Sequence, residues 1–209
     1  MREPDWLAWA REVQAIAQVG LTFCQEPYDR ERYEALRALA ARAMAAAGGA
    51  DLSMVAGLFA AQEGYATPKV DVRGAAFDAE GRILLVREAQ DRGRWTLPGG
   101  WGDVNLTPAE NVAKEVFEES GFIVRVNKLA SVWDRTRQGH GPKAFSCYKL
   151  FFVCEITGGE AATSLETTEV GFFAEDALPH DLSTERVVRA QLHRMFAHAR
   201  NPSLPTEFD

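Results

Sequence analysis

Over the first third of the chain apolar residues recur every three or four positions, and beyond it many recur every second position. Trp6, Ala10, Val13, Ala17, Leu21 and Cys24 follow the helical spacing and predict an amphipathic helix that stops at Pro27. A second helix, rich in Ala and Leu, begins there and is ended by Gly48 and Gly49. Asp51 is placed to cap a third, which carries Met54, Val55, Leu58 and Phe59. After Ala66-Thr67-Pro68 the period changes. VDVRGAAF (70–77) and RILLVRE (82–88) read as strands joined by a turn at 78–81. RWTLPGG (94–100) reads as a short strand running into a glycine loop, followed by a helix over 107–120. FIVRVNKLASVWD (122–134), FSCYKLFFVCEI (145–156) and EVGFFAE (169–175) are further strands. A last helix, 184–199, places Val188, Leu192, Met195, Phe196 and Ala199 on one face. The pattern predicts two domains. Residues 1–66 form a small all-α domain, and 67–209 an α/β or α+β sandwich, a sheet flanked by helices.

Composition narrows the class. The 209 residues are 46% hydrophobic and 25% charged, ordinary values for a globular chain. A net charge of −7 without a basic stripe argues against a life on nucleic-acid backbones. Six Arg stand against nine acidic residues across 1–66, which argues against a DNA-binding helical module there too. With no catalytic cluster in it, this region is expected to pack on a neighbouring domain or to dimerise. Cys24, Cys147 and Cys154 lack metal-finger spacing and are expected to be buried small hydrophobes in a reducing compartment. The amino terminus lacks the pattern of a secretory signal, and no stretch approaches the ~18 apolar residues of a membrane helix. A soluble, cytoplasmic protein with no membrane partner is the expectation.

The chemistry concentrates in KEVFEESGF, 114–122. Thr107, Pro108 and Glu110 form a capping box that starts the helix. Glu115, Glu118 and Glu119 share one face of it, because residues three and four apart are neighbours. Glu118 and Glu119 fall in the last turn, where the helix dipole favours cations rather than anions. The bland reading is a solvated charged face. Two features weigh against it: the glycine stop at Gly121 and the upstream loop LPGGWGD, whose adjacent glycines let backbone approach a ligand closely. A hard divalent cation would offset both the repulsion and the dipole, and Mg²⁺ takes carboxylate oxygens while keeping positions for water and substrate phosphates.

These residues resemble a known family. The stretch from Gly100 to Phe122 is similar to the Nudix box, G-x5-E-x7-R-E-U-x-E-E-x-G-U, where U is a bulky aliphatic or aromatic residue. Gly100, Glu115, Val116, Glu118, Glu119, Gly121 and Phe122 fall in register, whereas Leu106 replaces the first Glu and Lys114 the Arg. Lys114 keeps the charge but lacks the planar fork that could hold Glu115 in two hydrogen bonds. Asp103 or Asn105 is a candidate for the missing polar support. The similarity runs through nearly the whole chain, towards a Nudix subgroup that joins a small helical N-terminal domain to the hydrolase domain.

The resemblance implies a Nudix-type mixed-sheet sandwich. It also implies Mg²⁺-dependent (or Mn²⁺-dependent) hydrolysis of the pyrophosphate of a nucleoside diphosphate linked to another group. ADP-ribose or CDP-choline type compounds are the substrates, and NMP and X-phosphate the products. Glu115, Glu118 and Glu119 become the metal ligands, with a carbonyl of Gly99 or Gly100 completing the shell. The general base is expected among the box glutamates or in the later loop, at Glu166 or Glu169. The connection DRTRQGHGPK (134–143) holds Arg135, Arg137 and His140, which as a group suit phosphate or X-group contacts. Arg94 and Trp101 are further substrate candidates. Trp95 is expected in the core, and Trp133 either there or stacked on a base. Two other readings use the same box: a nucleotide-metabolite sensor that binds without cleaving, and a pyrophosphatase of oxidised nucleoside triphosphates. A homodimer through the helical domain is expected.

Overall fold

In the computed structural model, residues 3–141 and 143–209 are described. The helical spacing of the first third is realised as α1 (Asp5–Phe23), α2 (Pro27–Gly48) and α3 (Leu52–Ala60). Pro27 opens α2 with its fixed φ, and Gly49 closes it in the left-handed region at φ 67°. Asp51 caps α3 by accepting the Met54 N–H at 2.9 Å. Leu7 and Ala10 of α1, Ala40, Ala41, Met44 and Ala45 of α2, and Val55 and Phe59 of α3 form one core. Residues 143–146 belong to this helical unit as well, and Ala144 and Phe145 pack on that core.

The remaining residues, Lys69–Gly141 and Cys147–Asp209, form the second unit. Its strands are β1 (Lys69–Phe77), β2 (Ile83–Glu88), β3 (Arg94–Thr96), β4 (Phe122–Asp134), β5 (Cys147–Gly159), β6 (Thr167–Phe173) and β7 (Glu207–Phe208), and its helices α4 (Pro108–Ser120) and α5 (Arg189–Arg200). One seven-stranded sheet runs β3-β2-β1-β5-β4-β7, with β6 on β2. β1 pairs with β5, and β4 with β7, in parallel; the other pairs are antiparallel, so the sheet is mixed. Strand alternation divides its apolar residues between two faces. One face carries Val72, Ala76, Leu84, Phe152 and Cys154 and packs on Val112 and Val116 of α4. Each of those valines is fully buried, worth about 1.5–3 kcal/mol against exposure. The opposite face carries Ala75, Ile83, Leu85, Trp95, Trp133 and Phe151 and packs on Leu192, Met195 and Phe196 of α5. Both Trp95 and Trp133 are core residues. Cys147 and Cys154 are buried thiols, while Cys24 is partly exposed.

The sequence pattern misplaces some boundaries. β5 starts at Cys147, not Phe145, because Phe145 is drawn into the helical core. Residues 183–187 turn instead of opening the last helix: the Ser183 carbonyl accepts the N–H groups of Arg186 and Val187, each at 2.8 Å. Two-residue β7 has no period to read.

Candidate active site

The Gly-rich loop sits between strands. The Pro98 carbonyl accepts the Gly74 N–H at 2.9 Å and the Gly100 carbonyl accepts the Val72 N–H at 2.8 Å. Gly99, between them, holds φ 145°, and a Cβ there would lie 2.0 Å from the Val72 carbonyl oxygen. Only glycine fits. The Gly99 carbonyl keeps no backbone partner among the described residues. Its N–H donates to Oε2 of Glu119 at 3.0 Å.

α4 brings its glutamates to this loop. Its capping box is formed as the sequence predicts, and Gly121 ends it at φ 78°. Glu119 is buried, and burial raises its carboxyl to about 8, with Glu115 and Glu88 adding to the rise and Arg73 and the Gly99 N–H opposing it. Glu115 lies against Gly100, where a Cβ would meet its carboxylate oxygens at 3.0 Å. It too is raised, by burial first, with Lys114 and Arg73 pulling down and Glu118 and Glu166 pushing up. Glu118 is half exposed and pairs with Lys114 Nζ at 2.9 Å, which also donates to Asp103 at 3.1 Å. Lys114 therefore serves Glu118 and Asp103 instead of Glu115. Asn111, not Asn105, supports the loop: its side chain accepts the Asp103 N–H at 2.8 Å. Leu106, in the place of the first box Glu, is partly exposed.

Among the described residues no three His, Cys, Asp or Glu side chains already converge as a metal-binding group. Glu118 leans on Lys114 and Glu119 on the Gly99 amide. The donor chemistry nevertheless fits a hard divalent cation. Glu115 and Glu119 are acidic groups whose burial and mutual charge Arg73 only partly offsets, and the Gly99 loop is bonded to one of them through its N–H.

Beside the loop lies a charged cluster that sequence reasoning missed. The Arg73 guanidinium grips Asp71 with Nε at 2.9 Å and Nη2 at 2.8 Å, and donates to the Leu97 carbonyl at 3.1 Å. Lys149 Nζ reaches the same Asp71 at 2.6 Å. All three are buried. Burial alone would raise Asp71, but the two cations hold it at about 2, while burial brings Lys149 down to about 8 against the pull of Asp71. Removing one member of such a buried set costs about 3–5 kcal/mol, because a charge is left behind. Glu88 is buried as well and pairs with Arg186 at 3.1 Å. One signal was available: Asp71, Arg73 and Lys149 interrupt apolar strand runs at inward positions.

The 135–141 segment joins this cluster. Arg135 is buried, donates to the Gly141 carbonyl and pairs with Glu185 at 2.5 Å. His140 is buried, and its Nδ1 meets the Thr184 carbonyl at 2.8 Å. A carbonyl only accepts, so Nδ1 carries the proton. Burial lowers His140 to about 4, with Lys149 and Arg135 acting the same way. The ring is neutral at pH 7, and Nε2 is a buried acceptor without a partner among the described residues. His140 is thus set to receive a hydrogen bond here, not to donate one to a phosphate.

The other candidates divide. Glu166 is exposed, yet its charge reaches Glu115. Glu169 alternates with Val170 and Phe172, which pack on the α4 face, so it points to the opposite face; there it pairs with Arg87 at 3.3 Å. Arg94 is partly exposed and faces Asp91 at 3.8 Å. Arg137 is exposed, and Trp101 is half exposed at a bridge to Asp71.

Comparison with known proteins gives the family and its relatives. Residues 67–193 match the model of the NUDIX domain, and residues 4–59 that of a "UDP-X-like, N-terminal oligomerisation domain". A relative from Bacillus subtilis (strain 168), named "Putative ADP-ribose pyrophosphatase YjhB", is 45% identical over 207 residues, covering 99% of this chain and 98% of its own. A solved UDP-X diphosphatase is 34% identical with a TM-score of 0.62 and full coverage of both chains. An ADP-ribose pyrophosphatase structure from Streptococcus suis 89-1591 is 38% identical with a TM-score of 0.62, covering 68% of this chain and 100% of its own.

Proposed function

From the premise that this chain belongs to the Nudix hydrolase family and is a Nudix pyrophosphatase, we propose that it cleaves nucleoside diphosphates linked to another group, with Mg²⁺ as cofactor. Water attacks one phosphorus, the bridging P–O bond breaks, and the products are NMP and X-phosphate. Compounds of the ADP-ribose, UDP-X and CDP-choline type are the substrates to test, and the names of the two full-length relatives support the first two.

The observation that carries the reading is the pair of raised carboxyls, buried Glu119 and half-buried Glu115, gathered at Gly99 and Gly100. In this reading Glu115, Glu118, Glu119 and the Gly99 carbonyl hold the cation. The Gly100 carbonyl is already committed to Val72. A bound Mg²⁺ supplies charge neutralisation at the phosphate oxygens and lowers the pKa of a water. Glu166 takes the proton of the attacking water, since it is a carboxylate from outside α4 whose charge reaches Glu115. His140 Nε2 accepts from a hydroxyl or N–H of the substrate, and Lys149 and Arg73 keep that end of the site cationic. The helical unit assembles the homodimer, a role supported by the family description of residues 4–59.

The test is a panel of ADP-ribose, UDP-sugars, CDP-choline, NADH, nucleoside triphosphates and 8-oxo-dGTP with Mg²⁺. Release of NMP from the NDP-X compounds is expected. Binding without release would mark a sensor, and preference for 8-oxo-dGTP a nucleotide-cleansing enzyme.

A further inference from the structure

The connection between β4 and β5 is secured in two places. Its first part, 135–141, belongs to the second unit, where Arg135 closes onto the Gly141 carbonyl and His140 onto Thr184. Its last part, 143–146, belongs to the helical unit. There the Phe145 ring meets Phe59 edge-on, with centroids 6.5 Å apart and planes at 60°. Phe59 is fully buried among Leu7, Ala10, Ala41, Met44 and Val55. Ala144 joins the same core, and Arg11 Nη1 donates to the Lys143 carbonyl at 3.1 Å. The tethers are short: His140 stands five residues before Phe145 and Lys149 four after it, at most about 3.6 Å of reach per residue.

From this placement we propose that the helical unit has a task besides assembly: through Phe145 it positions the segment bearing Arg135 and His140, and so sets how tightly the substrate is held. Phe145 is a positioning residue, not a catalytic one. The carboxylates on α4 and the Gly99 loop are built without it. An anchored segment is already ordered before substrate arrives, and ordering it on binding would weaken affinity without touching the chemical step. The inference rests on the proposed substrate role of 135–141.

The test uses full-length Phe145→Ala and Phe145→Leu, with KM and kcat measured on the best substrate of the panel. Hydrogen exchange of the 135–141 amides is followed in parallel, and light scattering checks that assembly is kept. For Phe145→Ala we expect KM to rise on the order of five-fold with kcat within about twofold, and exchange at 135–141 to speed up. Phe145→Leu should restore most of both. A fall in kcat at unchanged KM would mean only a lost folded fraction and would overturn the proposal. So would wild-type KM together with wild-type protection at 135–141. If the unaltered chain cleaves nothing in the panel, the pyrophosphatase reading fails by itself, and the exchange experiment alone decides whether Phe145 holds the segment.

Discussion

Glu119 gathers the chemistry of the site into one side chain. It is buried, bonded to the Gly99 amide, and raised to about 8 by burial, Glu115 and Glu88. An isolated carboxyl gains nothing from such surroundings, whereas a carboxylate awaiting a cation does. The same logic separates the two later glutamates. Glu166→Gln is expected to lower kcat at least about 100-fold, the size of a general-base contribution. Glu169→Gln is expected to stay within about twofold, since Glu169 pairs with Arg87 on the other face of the sheet. A near wild-type rate for the first, or a large loss for the second, would reverse the assignment. The box glutamates were legible in the sequence because they share a short-range spacing on one helix. The meeting of Asp71 with Lys149 was not, because it depends on the pairing of β1 with β5, between residues 78 positions apart.

Among the elements, the β3–α4 loop and the helix after it are the best specified. A cap, a Pro at the first turn and a glycine stop all stand within 107–121 and are realised as read. The strands themselves were legible, but the division of their apolar residues between two layers was not, because β1 and β2 are buried on both faces. The start of β5 was not, because residue 145 obeys the core of another unit rather than its own strand pattern. Gly99 is the point where loop geometry and chemistry meet. Gly99→Ala would place a Cβ 2.0 Å from the Val72 carbonyl at φ 145°. The expected cost is more than about 2 kcal/mol in denaturant unfolding, together with lost turnover as the amide moves off Glu119. A cost under about 0.5 kcal/mol would show that the loop relaxes freely and that its tight seat is unimportant.

At the scale of the whole molecule, charge and assembly give two further expectations. Without metal, Glu119 in the folded chain keeps a proton that the unfolded chain releases near 4.5. The folded state therefore binds more protons between 4.5 and about 8, and stability falls as pH rises through that window. Mg²⁺ needs the ionised carboxylate, so the rise in Tm on adding it should be small near about pH 6 and larger near about pH 8. An equal rise at both would dissociate Glu119 from the metal. Light scattering is expected to give a dimer for the full chain, and a monomer would remove the assembly role of the helical unit. No helix among the described residues is long and apolar enough to cross a membrane. The most direct test of the central claim is phosphorus NMR of ADP-ribose with Mg²⁺ and the unaltered chain beside Glu119→Gln. AMP and ribose 5-phosphate should appear with the first, and at least about 100-fold more slowly with the second. Equal rates for the two, or no cleavage by the unaltered chain across the NDP-X compounds, would contradict it.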